Sequence, residues 1–278
     1  MSRGTVPEDP EPLGPLVDAH THLDACGAVT APDVTALLDR AARVGVGRVV
    51  TVADDLDAAR WAAEASTWDD RVWAAVALHP TRAGDLDDAA RAVLEALAAG
   101  PRVVAVGETG LDHHWPGKLE GCADEATQED AFRWHVDLAK RVGKPLMIHD
   151  REAHADVLRV LREEGAPATV VFHCFSGDAA VARECVEAGY VLSFAGPVSF
   201  RNARELHAAA PLVPAEQLMV ETDAPFLTPH PHRGRANRPH CLPWTLRALA
   251  ELRGDDPADL AAATTATAER VYGLSPQV

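Results

Sequence analysis

The sequence predicts a single α/β domain of the (β/α)8, or TIM, barrel class, and three observations predict it. Eight short β-branched or apolar runs alternate with longer segments of helical period. The 278 residues match the roughly 250 that one such barrel uses. Histidines and carboxylates recur directly after the apolar runs, where the active-site face of a barrel lies.

Taken in order, residues 1–15 (MSRGTVPEDPEPLGP) are rich in proline and acid and hold no apolar segment. They are expected to form a disordered leader, not a signal peptide, with the barrel domain occupying 16–278. Candidate strands are Leu16–Ala19, Arg48–Val52, Val72–Leu78, Val103–Val106, Pro145–Ile148, Thr169–Phe172, Tyr190–Phe194 and Gln217–Val220. Between the first two, Pro32 suits the first turn of a helix that sets Val34, Leu37, Leu38, Ala41 and Val44 on one face. A helix from near Gln128 groups Phe132, Val136 and Ala139, and a later one groups Val157, Leu158 and Leu161. The stretch Asp112–Ala126, with its glycines, charges and histidines, is expected to be a mobile loop. Helices at about Leu242–Leu252 and Pro257–Tyr272 are expected to close the wall.

Strands separated by helices pair in parallel through right-handed crossovers. Their mostly non-alternating apolar character suits a sheet buried on both faces. The competing architecture is a doubly wound open sheet. No G-x-G-x-x-G follows the first strand and no phosphate-loop signature is present to support it.

Composition narrows the function. No apolar run approaches the roughly 20 residues that cross a bilayer. Five dispersed cysteines without a C-x-x-C pair argue against a disulfide framework and fit a reducing cytoplasm. A formal charge of -16 excludes nucleic-acid binding through a generally basic surface, so an anionic substrate needs a local positive site.

The first strand runs into Val17-Asp18-Ala19-His20-Thr21-His22. Histidines at i and i+2 face the same way on extended chain, so two imidazoles can grip one cation. Alone, such a pair is more often two polar loop residues. Glu108 after the fourth strand, His149 after the fifth, His173 at the end of the sixth and Asp223 after the eighth change that balance. A single polar residue at a strand end usually finds its own partner. Six partly buried imidazoles and carboxylates without partners would each cost on the order of a few kcal/mol. Cations remove that cost, and two divalent ions over two carboxylates leave the pocket positive.

Other positions keep two readings open. His79, ending the third strand, reads as a substrate contact or as a plain strand-end polar residue. Arg151 can reach a phosphate or pair with Asp150 or Glu152. The loop with Arg233, Arg235, Asn237 and Arg238 offers bidentate phosphate contacts or merely balances an acidic surface. Pro-separated His230 and His232 read as exposed. Trp115 can stack on a base or pack on its own loop. Cys174 is expected to point away from His173 and to serve packing.

The segments VDAHTHLD, GETGLD, QEDAFRWHVDLAKRVGKPLMIHDREA, HCFSG, SFAGPVSF, ETDAPFL and NRP, in this order, resemble the TatD-type deoxyribonuclease family of metal-dependent hydrolases. The resemblance covers nearly the whole chain after the leader, and His79-Pro80 matches a family motif as well. It implies a two-metal site in which His20, His22, Glu108 and Asp223 hold one ion, and Glu108 bridges to a second held by His149 and His173. Two departures fall where substrate is expected: His113 and His114 stand where a Tyr commonly follows GLD, and Arg238 stands where an acidic residue is frequent.

The resemblance implies a 3′-to-5′ exonuclease acting on ends of single-stranded or frayed DNA or RNA, and the cysteine pattern sets its expected place in the cytoplasm. Two divalent cations (Mg, Mn or Zn) serve it, with Asp223 as general base and Glu108 setting their spacing. His79, Arg151, Arg233 and Arg235 are its expected substrate contacts, with no membrane and no obligate protein partner. The alternatives are an ester hydrolase, such as a D-aminoacyl-tRNA deacylase, and a non-catalytic quality-control partner, which would have eroded ligands. Cyclic amide hydrolysis is disfavoured, because none of Lys118, Lys140 and Lys144 stands at a strand's carboxyl end to bridge metals as a carbamate.

Overall fold

The computed structural model describes residues 5–274. Its strands are β1 (Leu16–Thr21), β2 (Val46–Val52), β3 (Val72–Val76), β4 (Val103–Asp112), β5 (Leu146–Arg151), β6 (Val170–Phe172), β7 (Val191–Phe194) and β8 (Leu218–Val220). Between them run α1 (Ala31–Arg43), α2 (Leu56–Ala65), α3 (Asp88–Ala98), α4 (Glu125–Val142), α5 (His154–Glu164), α6 (Ala179–Glu187) and α7 (Arg204–Ala209), followed by α8 (Leu242–Arg253) and α9 (Pro257–Tyr272). The strands pair in parallel in the order β1 to β8, which is the expected (β/α)8 barrel. Each candidate strand is found, with ends shifted by up to three residues except in β4, which runs six residues further than expected, to Asp112.

The helices begin where the side chains supply caps. Thr30 and Asp33 form a reciprocal capping box at α1, and the Asp55, Asp87, Asp124, Asp178 and Asp256 carboxylates accept backbone N–H groups at five others. The apolar stripes then face the sheet. Val34, Leu38 and Ala41 of α1, Phe132, Val136 and Ala139 of α4, and Val157, Leu158 and Leu161 of α5 are all buried.

Strand alternation divides the core in two. Leu16, Val49, Val76, Val106, Ile148, Phe172 and Phe194 face outward and pack with the helices. Val17, Ala19, Val50, Val52, Trp73, Ala75, Met147, Val171 and Met219 face the barrel axis, where Ala268, Val271 and Tyr272 of α9 join them. Thr265 of α9 donates to the Pro15 carbonyl, so this helix covers the amino end of the barrel.

The seam between β8 and β1 is closed chiefly beyond β8. The buried Asp18 carboxylate accepts from the Thr222 backbone N–H (2.8 Å) and hydroxyl (2.6 Å). Asp223 N–H donates to the His20 carbonyl and His22 N–H to the Ala224 carbonyl. The closure of the barrel and the delivery of three charged or imidazole groups to one place are therefore the same set of contacts.

Two expectations are corrected. Residues 5–15 of the leader carry no helix or strand, but they lie along the barrel and are tied to it. Leu13 N–H donates to the Val44 carbonyl, Arg40 pairs with Asp9 at 2.6 Å, and Arg247 donates to the Glu11 carbonyl. Residues 1–4 of that leader lie outside the described residues. The stretch Asp112–Ala126 is also not wholly a loop. Asp112 is the buried last residue of β4, its N–H held by the Gln128 side chain, and α4 already begins at Glu125.

Candidate metal centre

Regular alternation from Val17 and Ala19 would turn His20 outward, together with Asp18. It does not, because β1 carries one extra residue: Asp18 and Thr21 stand opposite Val49 and Thr51. The same irregularity recurs in β4, where Val106 and Thr109 stand opposite Leu146 and Ile148, and Glu108 sits within it. Both bulges return a donor to the barrel axis, a recurrent use of bulges beside functional sites. Gly107 permits the second, since a Cβ there would come within 2.4 Å of the Met147 Cβ.

The donors converge in two sets. In one, His20 Nε2 and His22 Nε2 are 3.2 Å apart, Glu108 Oε1 lies 3.7 and 3.5 Å from them, and Asp223 Oδ1 lies 3.6 and 3.4 Å from them. In the other, Glu108 Oε2 is 3.3 Å from His149 Nδ1 and 2.8 Å from His173 Nε2, which are 3.4 Å apart. A tetrahedral cation at about 2.0–2.1 Å from nitrogen requires donors about 3.3 Å apart. Both sets have that spacing, and Glu108 contributes one oxygen to each.

The outer nitrogens are held as well. His22 Nδ1 lies 2.9 Å from the Val52 carbonyl, His149 Nε2 3.1 Å from Asp112 Oδ2, and His173 Nδ1 3.2 Å from Glu221 Oε1. Each partner accepts an N–H, which leaves the other nitrogen's lone pair aimed at Glu108 and the shared centre.

Electrostatics agree with this fit. Burial alone would raise the Glu108 carboxyl, but His173 and His20 beside it hold it well below the usual carboxylate range. Burial would lower His22, His149 and His173, yet Asp223 and Glu108 raise the first to about 9, Asp112 and Glu108 raise the second, and Glu108 with Glu221 raises the third. His20 is driven well below its usual value by burial and by His173, whose ring stacks on it at 4.0 Å. The field that favours protons on three of these rings favours cations in their place, and cation binding would displace those protons.

All six candidate ligands thus share one floor, and the cavity above it holds about 670 Å³. His79 and Arg151 line that cavity. His79 Nε2 lies 3.2 Å from His149 Nδ1, and burial, with His149 close by, pushes its imidazole down to about 3. Asp150 is taken by His154 and Glu152 by His114, so neither holds Arg151, whose guanidinium lies over the Trp115 ring at 5.3 Å.

Arg233 and Arg235 are not brought to the cavity. Both are exposed; Arg233 lies over the Phe200 ring and Arg235 pairs with Glu8, part of the segment expected to be disordered. Asn237 is structural, its amide donating to the Thr222 and Phe226 carbonyls. His232 is not exposed but is buried beside Trp244. Cys174 does line the cavity, against expectation. β6 ends at Phe172, and the positive φ of 41° at Cys174 breaks the alternation that would have turned it away. Burial pushes its thiol well above its ordinary value.

Sequence reasoning missed Asp112 and Glu221 as partners of the histidines and Asp54 as a cavity residue. The first two stood inside quoted motifs, GETGLD and ETDAPFL, with an acid at the far end of each. Which acid meets which imidazole depends on strand register.

A parallel barrel that pools buried imidazoles around one shared carboxylate at its carboxyl end defines the class of metal-dependent hydrolases. The chain belongs, within that class, to the TatD-related DNase family, whose model matches residues 17–273. It is 66% identical to an uncharacterized metal-dependent hydrolase TatD of Mycobacterium tuberculosis, over 93% of this chain and 98% of that one. It is 35% identical to a protein of Cronobacter sakazakii named 3′-5′ ssDNA/RNA exonuclease TatD, over 85% of this chain and 90% of that one. The solved structure of YJJV, a TatD homolog from Escherichia coli, superposes with a TM-score of 0.85 at 27% identity, covering 94% of this chain and 99% of that one.

Proposed function

We propose that the protein hydrolyses phosphodiester bonds at the 3′ ends of single-stranded or frayed DNA or RNA, with two divalent cations held by the six ligands. The observation that carries this reading is the division of Glu108, one oxygen to each of two donor sets, on the floor of an open cavity. Divalent cations bound there supply Lewis acidity toward a phosphoryl oxygen and toward water. His20, His22, His149 and His173 supply neutral donors, and Glu108 sets the separation of the two positions. Asp223, at the edge of the floor, accepts the proton of the attacking water at its carboxylate. Arg151 supplies positive charge on the cavity wall for a phosphate oxygen, whereas Arg233 and Arg235 do not line that wall. The name of the Cronobacter relative supports the substrate class. Intact ligands, all placed within reach of one another, weigh against a purely binding role. Five free cysteines favour a reducing cytoplasm as the site of action, and no helix of the described residues is long and apolar enough to cross a membrane.

The test is gel electrophoresis of 5′-labelled oligonucleotides with magnesium, manganese or zinc. A ladder of single-nucleotide losses from the 3′ end is expected, with single strands cut faster than blunt duplex. Nicking of closed circular DNA at a comparable rate would overturn the exonuclease reading. Release of a D-amino acid from charged transfer RNA, without cleavage of any oligonucleotide, would make the ester hydrolase the correct reading.

A further inference from the structure

The mouth of the cavity is as unusual as its floor. Four large apolar side chains stand exposed among the described residues, and three of them, Leu119, Phe226 and Leu227, line this cavity. Single exposed apolar residues scattered over a surface are ordinary, but a cluster around one opening marks a binding surface. Leu119, with Trp115, rises from the segment after β4, and Phe226 and Leu227 rise from the segment after β8. Strands four apart in an eight-stranded ring lie across from each other, so the two pairs form facing lips.

Leu227 is held there against two preferences. Its φ of 51° lies in the left-handed region that disfavours a branched side chain, and 38% of the residue is exposed. Glycine would suit the backbone and a polar residue would suit the exposure. The backbone is also pinned, since a Cβ on Gly196 would fall 1.8 Å from the Leu227 carbonyl oxygen. Of the four non-glycine residues with positive φ among the described residues, Cys174, Asp223 and Leu227 line the cavity, which is where functional sites concentrate such strain. Beside Leu227, Phe226 is 54% exposed and meets the His22 ring edge-on, with centroids 5.9 Å apart.

A cation-binding floor beneath two apolar and aromatic lips fits a ligand that carries an anionic group next to a flat apolar ring. Taking the phosphodiester reading above as its basis, we propose that Phe226 and Leu227, facing Trp115 and Leu119, seat the unpaired terminal base of the strand whose phosphodiester rests on the floor. The terminal base of a duplex is paired to its complement and stacked on its neighbour, and must leave both to enter. The lips would therefore select frayed or single-stranded ends, and would do so without a basic track on an acidic surface.

The experiment compares two single-stranded oligonucleotides that differ only in the terminal 3′ residue, one bearing a base and one a tetrahydrofuran nucleotide without it. Removal of the last residue is followed for the wild-type protein, Phe226→Ala and Leu227→Gly. The wild type is expected to favour the base-bearing end in kcat/KM by roughly tenfold to a hundredfold, the size of one stacked base. Each variant should bring that ratio down several-fold. Leu227→Gly suits the backbone at its position, so loss of fold cannot account for its result. As an independent reading, 2-aminopurine at the 3′ end should lose fluorescence on binding to Asp223→Asn and keep it with Asp223→Asn/Phe226→Ala. A wild-type ratio near one, or a ratio unchanged in both variants, overturns the base seat while leaving the phosphodiesterase reading standing. Failure of the wild type to cleave either strand overturns that reading, and the base seat with it.

Discussion

The two ends of the barrel interior are built from the same eight strands and are filled in opposite ways. At the amino end, Val17, Trp73, Val104, Val191 and Met219 meet the last turns of α9 and pack apolar against apolar. At the carboxyl end, His20, His22, Glu108 and His173 are nearly as buried but face other polar groups, with imidazole nitrogens 3.2 Å apart between His20 and His22 and 3.4 Å apart between His173 and His149. The first arrangement is stable by itself, because buried apolar area lowers free energy without needing a partner. The second places like donors against each other and gains its stability from what it binds. Stability therefore sits largely at one end and chemistry at the other.

The largest effect expected from breaking this contrast is at Glu108. Glu108→Ala removes the oxygens common to both donor sets, so occupancy of both ions should fall and turnover should disappear; elemental analysis of protein loaded with zinc or manganese reads the first. Full occupancy of both positions would show that Glu108 does not bridge them. Asp223→Asn should keep the fold and most of the metal while lowering turnover about 10²- to 10⁴-fold, as expected for loss of a proton acceptor. Undiminished activity would remove Asp223 from the role of base.

At the other end, Met219→Ala should cost about 2–5 kcal/mol in urea unfolding, as large-to-small core changes do, with kcat close to that of the wild type. A loss of activity without a loss of stability would contradict the division between the two ends.

A fourth prediction concerns pH. His135 is buried on α4, accepts the Leu78 N–H at 3.3 Å and lies 2.8 Å from the Ala131 carbonyl; burial pushes its imidazole down to about 4 from an ordinary 6.5. Between those values the unfolded chain binds a proton that the folded chain refuses. The contribution of His135 is thus full above pH 6.5 and is lost as pH falls toward 4, by about 3 kcal/mol in all. His135→Asn should flatten the stability profile in that window, though not completely, since burial also pushes His240 down to about 4. A profile unchanged by the substitution would mean that His135 titrates normally. The smallest effect belongs to Arg235→Ala, whose exposed pair with Glu8 is screened by solvent and whose loss should leave the urea midpoint nearly unchanged and change oligonucleotide cleavage less than about twofold.

The sequence by itself determined the barrel and the company of its ligands. Eight apolar runs, each followed by a helical period, leave little choice of topology once parallel pairing and right-handed crossovers apply. Donors placed after five of those runs must then gather at one end. It did not determine which way those donors point. Alternation alone sends His20 outward with Asp18, and only the extra residues in β1 and β4 turn His20 and Glu108 toward the axis. Nor did it separate Arg151, which reaches the cavity, from Arg233 and Arg235, which do not, or show that Cys174 would line it. Bulges, register and the path of a loop depend on contacts between residues far apart in the chain, such as Asp18 with Thr222 and His173 with Glu221. The first exists only once the seam of the barrel has closed, and the second only once β8 has joined the sheet beyond β6 and β7.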